Sequence, residues 1–287
     1  MKATDILLTD KVAIVTGGGG GIGRAIALSL AEAGADIVIG DIAPERCEEV
    51  AQQVRQRGRR ALPVPLDVMD TGQVNAMIAK ADAEFGRIDI LVNNAGGVSG
   101  RPFLEQSERS WRRHIDINLV SMLAATAAAA PVMIRGGRGG AIINVTSIEG
   151  SRAAPNFAVY ATCKAGMISF TRTMALELSQ HQIRVNAIAP DHTVTPGSRG
   201  NRSGPVDPSA WPARTAEQDD AWARLIPLGR EGVDTECGNV ALFLASAMSE
   251  YVTGTVIPVD GGTWASSGWV RNRAGEWTLI DGLDFGG

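Results

Sequence analysis

Tyr160 and Lys164 have the residue types and the spacing that point most directly to chemistry in this chain of 287 residues. They are four positions apart in the stretch YATCK, so on a helix they lie on one face, a turn apart. A phenol has a pKa of about 10, and a nearby ammonium group favours the phenolate and lowers that pKa. The pair could therefore exchange a proton with an alcohol or carbonyl oxygen near neutral pH. Taken alone, such a pair is more often a contact on a helix surface.

Ser147 ends the stretch NVTS, thirteen residues before Tyr160. Its hydroxyl could donate a hydrogen bond to a substrate oxygen on which negative charge develops. As an isolated residue it would only cap the end of a strand. Together with Tyr160 and Lys164, it indicates general acid–base chemistry at a hydroxyl or carbonyl group.

A glycine-rich loop, TGGGGGIG at residues 16–23, follows a predicted strand and opens a predicted helix. Glycines let the backbone turn sharply and approach a pyrophosphate without Cβ clashes. The free N–H groups and the positive end of the helix attract the phosphates. Such a loop can be merely a flexible turn, but the flanking strand and helix favour a dinucleotide site.

Asp41 closes the second predicted strand, at the place where a carboxylate accepts hydrogen bonds from the adenosine ribose hydroxyls. The same charge would repel a 2′-phosphate. No Lys or Arg stands inside the glycine loop or directly after Asp41, and Arg24 is the one cation close behind the loop. NAD is therefore predicted over NADP, although Asp41 could instead be a residue of the turn that ends the strand.

These residues need a scaffold, and short β-branched runs that alternate with helical patterns supply it. The predicted strands are Val12–Thr16, Asp36–Gly40, Ala61–Leu66, Ile88–Val92, Ala141–Thr146, Arg184–Ala189 and Thr255–Val259. The predicted helices are Ile22–Ala33, Glu45–Arg57, Gln73–Phe85, Trp111–Met133, Asn156–Ser179 and Thr235–Ala247. The pattern predicts an α/β fold of one domain, residues 1–263: a doubly wound parallel sheet (a Rossmann fold) of about seven strands with helices on both faces.

Two segments depart from the alternation. Residues 196–226 are predicted to form a lid insertion, because their Gly, Ser, Pro, Arg and Asp content is typical of a long surface loop. The tail, residues 264–287, contains WVRNRAGEWTLI, which could form a hairpin around Ala274-Gly275. Its three tryptophans indicate docking, and we expect a neighbouring subunit as the surface.

Composition excludes several classes of function. Hydrophobic residues make up 45% of the chain and the net charge is -4, so a general electrostatic hold on nucleic acid or on an anionic membrane is not expected. The three cysteines show no metal or disulfide spacing, and the three histidines no ligand pattern, so no metal site is predicted. The N-terminus does not resemble a signal peptide, and the apolar stretch Leu119–Ile134 is too short for a membrane span, which predicts a cytoplasmic protein.

The combination of motifs resembles the short-chain dehydrogenase/reductase family from about residue 10 to residue 263. The resemblance implies a catalytic tetrad of Asn118, Ser147, Tyr160 and Lys164, in which Asn118 holds a water of the proton relay and Lys164 also binds the nicotinamide ribose. Asn93–Gly96 matches a stretch that stabilises the sheet beside the cofactor, and Asp260-Gly261-Gly262 matches the final strand. The residues implied to contact the cofactor are Gly17, Gly21, Ile22, Gly23, Asp41, Ile42, Asp67, Val68, Asn94, Ala95, Gly96, Tyr160, Lys164, Pro190, Thr193 and Thr195.

One position departs from the family pattern, which reads Pro-Gly after the sixth strand where this chain has Pro190-Asp191. An aspartate needs a less permissive backbone than glycine, so the geometry of this loop is open to question. His192 beside it could carry a proton, or could simply face the cofactor or the solvent.

The leading interpretation is a NAD-dependent oxidoreductase that interconverts a secondary alcohol and a ketone, with Tyr160 as the general acid or base. An NADPH-dependent 3-oxoacyl reductase is the alternative enzyme, and a non-catalytic NAD-binding regulator is the alternative from another class. The resemblance also implies a homotetramer, to which the Ala124–Ala130 run could contribute close helix packing, unless it packs inside the subunit. A bulky, partly apolar substrate such as a terpenoid, steroid or acyl chain could lie under the tryptophans of the lid, which could equally pack onto their own domain. The lid residues considered are Arg199, Arg202, Trp211, Arg214 and Trp222.

Overall fold

The computed structural model describes residues 2–198, 209, 211 and 213–279. Its strands are β1 (Val12–Thr16), β2 (Asp36–Asp41), β3 (Ala61–Pro65), β4 (Ile90–Asn93), β5 (Gly140–Val145), β6 (Ile183–Pro190), β7 (Thr193–Val194), β8 (Gly232–Val233), β9 (Val256–Val259), β10 (Val270–Arg271) and β11 (Trp277–Thr278). A seven-stranded sheet has the order β3-β2-β1-β4-β5-β6-β9, and every pair in it is parallel. All seven predicted strands lie in this sheet, so the predicted fold class is confirmed.

Helices cover both faces of the sheet. They are α1 (Gly21–Glu32), α2 (Pro44–Gln56), α3 (Thr71–Phe85), α4 (Glu108–Ile115), α5 (Ser121–Gly136), α6 (Ala158–Glu177), α7 (Ala216–Leu225), α8 (Asp234–Ala245) and the single turn α9 (Thr263–Ser266). One apolar core lies under α1, α2 and α8, and a second lies under α3, α5 and α6. Alternate residues of β1 enter opposite cores, as Val15 and Ile14 do, because successive side chains of a strand point to opposite faces.

The strand order reverses at β1, whose two neighbours are β2 and β4. In an open parallel sheet the loops on either side of such a reversal diverge and leave a crevice at the carboxyl ends of the strands. The glycine loop after β1 and the Asn93–Gly96 stretch at the end of β4 therefore border the same crevice.

The predicted helix Trp111–Met133 is wrong as a single regular element. It is divided into α4 and α5 by a π turn over Asp116–Val120. The inserted residue of a π turn changes the direction in which the following side chains point, and such turns are frequent at functional sites. The continuous helical stretch Glu108–Gly136 is long and apolar enough to cross a membrane by length and composition alone, and 44% of its most apolar window is buried inside the protein. A core helix passes the same test.

The lid insertion and the tail are described in part. Residues 199–208, 210 and 212, which include Arg199 and Arg202, lie outside the described residues, as do residues 280–287. Within the described part of the insertion, α7 begins after Thr215, which forms a capping box with Gln218.

The tail forms the predicted hairpin, in which β10 and β11 pair antiparallel and Gly275 occupies the turn with a φ of 86°. In the described residues β10 packs against α7 of the same chain. One side of β10 thus contacts the chain's own lid helix, while Trp264, Trp269 and Trp277 stay about half exposed. Docking of the tail on a neighbouring subunit stays a prediction.

Candidate active site

Tyr160 and Lys164 lie one turn apart on α6, beside the carboxyl end of β5. Lys164 is buried, and its Nζ donates a hydrogen bond to the carbonyl oxygen of Val145, 2.9 Å away at the end of β5. The same Nζ lies 5.6 Å from the centre of the Tyr160 ring. Ser147, two residues beyond β5, is hydrogen-bonded to Tyr160 through its side chain. The structure thus brings these three predicted residues together at one end of the sheet.

Ser147 has two roles in the structure. Its Oγ accepts a hydrogen bond from the Glu149 N–H at 3.2 Å and so caps the short turn Ile148–Gly150. The Oγ also lies 3.5 Å from the carbonyl oxygen of Pro190, at the end of β6. The capping role considered from the sequence is therefore present, and it holds the hydroxyl toward Tyr160.

Asn118 is fully buried in the π turn, and its side chain is hydrogen-bonded to the backbone that follows β4. Its Nδ2 donates to the carbonyl oxygens of Gly97 at 2.8 Å and His114 at 2.9 Å, and its Oδ1 accepts the Gly97 N–H at 3.1 Å. A Cβ on Gly96 would lie 2.8 Å from Asn118 Oδ1 and 3.6 Å from Lys164 Nζ. Only glycine lets the backbone pass between these two side chains without displacing Asn118.

Burial dominates the proton affinity of both titratable groups. Burial raises the pKa of Tyr160 to about 12, the hydrogen bond from Ser147 opposes this, and the carboxylates of Glu149 and Asp191 add to it. Burial lowers the pKa of Lys164 to about 8. The pKa of Tyr160 therefore lies above its ordinary value, where the spacing to Lys164 predicted a fall, because desolvation of the phenolate is the larger effect. Near neutral pH Tyr160 keeps its proton and can donate it.

The glycine loop has the geometry that a pyrophosphate requires. Gly17 and Gly21 adopt φ values of 63° and 48°, which favour glycine, and a Cβ on Gly23 would lie 2.1 Å from the carbonyl oxygen of Gly17. No side chain caps the N-terminus of α1, so the N–H groups of its first turn are available to phosphate oxygens. Ile22 packs partly into the core below. These residues fit the phosphates of a dinucleotide.

The Asn93–Gly96 stretch ties the glycine loop to β4. Thr16 Oγ1 accepts the N–H groups of Asn94 and Ala95, both at 3.1 Å. Asn94 Nδ2 in turn donates to the carbonyl oxygens of Thr16 at 2.9 Å and Gly17 at 3.0 Å. These bonds hold the first turn of the loop against the strand that forms the other wall of the crevice.

Asp41 lies at the end of β2 and faces the glycine loop. Its Oδ2 accepts the N–H of Gly19 at 3.0 Å and its Oδ1 accepts the N–H of Ala43 at 3.1 Å. The carboxylate is thereby held at the edge of the crevice, where its negative charge meets the adenosine end of a dinucleotide. Ile42, the next residue, is 67% exposed at the same edge.

Arg46 is a cation near Asp41 that the sequence analysis missed. It stands on the first turn of α2, and a Cβ on Gly20 would lie 3.3 Å from its Nη1. Arg46 stands five positions after Asp41 in the sequence, and only the first turn of α2 brings it back over the loop. Arg24, which the sequence singled out, instead donates to Gln53 Oε1 on α2 at 2.8 Å.

The remaining predicted contacts lie around the same crevice. Asp67 follows β3, and its Oδ1 accepts the Met69 N–H at 2.9 Å, while Val68 is buried. Thr193 begins β7, which pairs with β8, and its Oγ1 donates to the carbonyl oxygen of Asp191 at 3.2 Å. Thr195 lies against the glycine loop, where a Cβ on Gly21 would approach its Cβ to 3.1 Å.

Asp191 stands where the family pattern has glycine, and its backbone does not need the positive φ that favours glycine. The positive φ of this loop, 40°, falls on His192, and Asp191 is absent from the positive-φ residues. The Asp191 Oδ2 lies 2.9 Å from His192 Nε2 and 3.4 Å from Arg152 Nη2. His192 in turn contacts the Trp222 ring edge-on, with ring centres 4.5 Å apart.

The rim of the site carries a chain of charges that the sequence did not reveal. Arg152 Nη2 lies 2.8 Å from Glu149 Oε1 and also reaches Asp191. Burial lowers the pKa of Arg152, but the hydrogen bond that it donates to Glu149 and the charges of Glu149, Asp191 and Asp260 raise it on balance. No sequence motif relates Glu149 to Asp191, because they meet only where β5 and β6 end side by side. Within the described part of the chain, no group of three or more His, Cys, Asp or Glu side chains could hold a metal ion.

Known proteins resemble this chain in sequence and in fold. A family model described as Enoyl-(Acyl carrier protein) reductase matches residues 17–263. The 3-oxoacyl-(acyl-carrier-protein) reductase FabG of Thermotoga maritima is 38% identical over 255 residues, which cover 89% of this chain and 98% of the relative.

Two solved structures superimpose on it closely. A short-chain type dehydrogenase/reductase from Mycobacterium marinum has a TM-score of 0.81 and 35% identity, over 90% of this chain and 97% of that one. The 7 alpha-hydroxysteroid dehydrogenase complexed with NADH and 7-oxo glycochenodeoxycholic acid has a TM-score of 0.83 and 32% identity, over 91% and 97%.

The family match covers well over half of the chain, and the relatives match it over almost their whole length. The motifs that carried the resemblance stand in the structure at one crevice, at the carboxyl ends of β1, β4 and β5. The chain belongs to the short-chain dehydrogenase/reductase family and is an oxidoreductase of the kind that uses a nicotinamide cofactor.

Proposed function

We propose that this oxidoreductase transfers a hydride between NAD(H) and a bulky, partly apolar secondary alcohol or ketone. One observation carries the proposal: Ser147 and Tyr160 share a hydrogen bond beside the buried Nζ of Lys164. Two hydroxyl groups that meet in this way can hold one substrate oxygen between them. The glycine loop borders the same end of the sheet, so a dinucleotide held there would lie beside the substrate carbon that carries this oxygen.

Each residue has a defined task in this reaction. Ser147 donates a hydrogen bond to the substrate oxygen, and Tyr160 donates its proton to that oxygen in ketone reduction or accepts it in alcohol oxidation. Lys164 stabilises negative charge on Tyr160 when the proton leaves, and we propose that it also binds the nicotinamide ribose. When bound, the nicotinamide supplies or accepts the hydride at the carbinol carbon. Asn118 holds the backbone at Gly97, and its implied role toward a water stays a prediction.

The choice of NAD over NADP rests on Asp41. Its carboxylate is held at the adenosine end by the N–H groups of Gly19 and Ala43, and a 2′-phosphate there would meet a like charge. The 7 alpha-hydroxysteroid dehydrogenase of similar fold was solved with NADH. Arg46 favours the opposite choice, because its guanidinium lies over the same loop. We propose that Asp41 outweighs it.

An NADPH-dependent 3-oxoacyl reductase is the second candidate. It is favoured by the 38% identity to a 3-oxoacyl reductase and by Arg46. The rim argues against it: Glu149, Asp191 and Asp260 surround a single arginine, so an acidic carrier protein would be repelled there. Turnover of an acetoacetyl thioester with NADPH, measured beside turnover of ketones with NADH, separates the two candidates.

Assembly and location are also proposals. We propose a homotetramer in the cytoplasm, as the sequence analysis expected. Within α5 the alanine run is divided between two environments: Ala125 and Ala129 are buried in the subunit, and Leu123 and Ala127 are exposed. The exposed stripe is available for packing against a second copy. Sedimentation velocity would test the assembly.

Substitution of Tyr160 tests the proposed chemistry. Tyr160→Phe removes the hydroxyl that carries the proton, so we expect turnover to fall by about 10²–10⁴-fold or more, with NAD affinity within about twofold. Tyr251 provides the control, because it is fully exposed and Tyr251→Phe should leave both quantities unchanged. Substantial turnover by the Tyr160→Phe variant would contradict the assignment.

A further inference from the structure

The tail closes one side of a cavity of about 710 Å³, and the turn that follows Ser147 forms the other side. This volume is in the range of sites that bind small molecules. The lining residues that matter below are Arg152, Leu225, Thr263, Trp264, Trp269 and Val270. The walls therefore come from three separate parts of the chain: the active-site rim, the lid helix α7 and the tail.

The start of the tail is held firmly at this place. Asp260 accepts the N–H of Gly262 on Oδ1 at 2.9 Å and the N–H of Trp264 on Oδ2 at 2.7 Å. The Leu228 N–H donates to the carbonyl oxygen of Gly261 at 3.0 Å. A Cβ on Gly262 would lie 3.1 Å from Pro227. These contacts fix the start of the tail to the segment that follows α7. Trp264, which lies in this fixed part, lines the cavity.

Arg152 lines the cavity and also borders the catalytic centre. It follows the short turn Ile148–Gly150, which Ser147 caps, and it is paired with Glu149 and Asp191. The two carboxylates are close enough to Tyr160 to act on its proton affinity. A substrate whose oxygen lies between Ser147 and Tyr160 can therefore extend past this rim into the cavity.

The side chains that line the cavity suit an uncharged, ring-containing part of a substrate. Trp264 and Trp269 are 50% and 46% exposed, so each offers indole surface to a ligand. Flat aromatic surfaces bind rings by offset or edge-on stacking. Arg152 carries the positive charge of the wall, and two carboxylates already compensate it. An anionic group of a substrate would therefore gain little binding free energy from Arg152, whereas an uncharged ring does not depend on that charge.

We propose that this cavity is the substrate subsite and that Trp264 and Trp269 bind an uncharged ring system attached to the reacting carbinol or carbonyl carbon. The inference rests on the proposed function and deepens it, since it names the substrate class. It also assigns the tail a role in its own subunit's active site.

The test compares a bicyclic ketone, 2-decalone, with the small ketone butan-2-one. In Trp264→Ala and Trp269→Ala we expect KM for 2-decalone to rise about tenfold, because each variant loses one aromatic contact and the area that it buries. KM for butan-2-one should stay within about twofold. Trp264→Phe and Trp269→Phe keep an aromatic face and should recover most of the affinity. Trp277→Ala is the matched control: Trp277 is in the same tail and 45% exposed, but it stacks on Arg271 and does not line the cavity.

The outcomes separate this inference from the proposed function. An equal change for both ketones in the two alanine variants, or the same selective loss in Trp277→Ala, would overturn the subsite. Calorimetric titration of 2-decalone into the NAD-loaded protein gives a readout that needs no turnover. Binding that depends on Trp264 and Trp269 in a protein that reduces neither ketone would contradict the proposed function and support the subsite. Absence of 2-decalone binding, together with turnover of butan-2-one, would contradict the subsite and support the proposed function.

Discussion

Arg152 joins two carboxylates that belong to different strand ends: its Nη2 lies 2.8 Å from Glu149 Oε1, after β5, and 3.4 Å from Asp191 Oδ2, after β6. Both carboxylates raise the pKa of Tyr160, in addition to the effect of burial. The rim therefore does more than border the site, because it helps to keep the proton on the phenol.

Removal of one rim carboxylate should change the pH dependence of alcohol oxidation. Oxidation needs Tyr160 without its proton, and with a pKa of about 12 the rate should rise with pH up to that value. Glu149→Gln removes a charge that raises this pKa, so the rising limb should move to lower pH, and oxidation at a fixed pH of about 8 should increase about threefold. Rates measured across pH for wild type, Glu149→Gln and Glu84→Gln test this. Glu84 is an exposed control in an ion pair with Arg60, and a shift in that variant would count against the rim.

Stability should depend on pH through Lys164. Its pKa is lowered on folding from 10.5 to about 8, so between these values the unfolded chain binds more protons than the folded one. Stability then rises with pH, and relative to Lys164→Met the free energy of unfolding of the wild type should grow by about 2 kcal/mol between about pH 7.5 and 9.5. Urea denaturation at both pH values measures this. Lys80→Met, at an exposed position, should keep the wild-type rise. Equal pH dependence in wild type and Lys164→Met would contradict the prediction.

Asp41→Asn should relax the preference for NAD. The amide keeps an oxygen that can accept the Gly19 N–H but loses the charge that repels a 2′-phosphate. We expect kcat/KM with NADP to rise by about 10- to 100-fold relative to NAD, which corresponds to about 1–3 kcal/mol of removed repulsion. Asp36→Asn, at the other end of β2, is the control. A wild type that already prefers NADP would show that Arg46 and not Asp41 decides the cofactor.

Gly96→Ala should impair catalysis more than stability. The new Cβ would lie 2.8 Å from Asn118 Oδ1 and 3.6 Å from Lys164 Nζ, so Asn118 and the neighbouring loop must shift. Because a small misplacement of catalytic groups can cost about 100-fold in rate, we expect kcat to fall by at least about tenfold. Gly97→Ala is the matched control, since its Cβ would make an ordinary contact of 3.4 Å with Ile117. Equal kcat values in the two variants would argue against close packing at Gly96.

Local signals predicted the scaffold well. The seven strands are short apolar runs, so period and length sufficed to place them. The five inner strands are mostly buried between two layers of helices, and the edge strands β3 and β9 are partly buried. The hairpin of the tail was likewise predictable, because Gly275 marks its turn. The π turn at Asp116–Val120 was not, since nothing in a run of helix-forming residues announces one inserted residue.

The sequence by itself determined the chemistry at Tyr160 and Lys164, because the helical period places residues four apart on one face wherever the helix lies. It also determined the glycine loop, whose backbone angles require glycine at Gly17 and Gly21. The tertiary structure decided how these groups behave. Proton affinity depends on how much water the packed elements exclude, so the pKa of Tyr160 rises where the spacing to Lys164 predicted a fall. Contacts between distant elements, such as Arg152 with Asp191 and the tail with α7, exist only once the sheet has set its strand ends side by side.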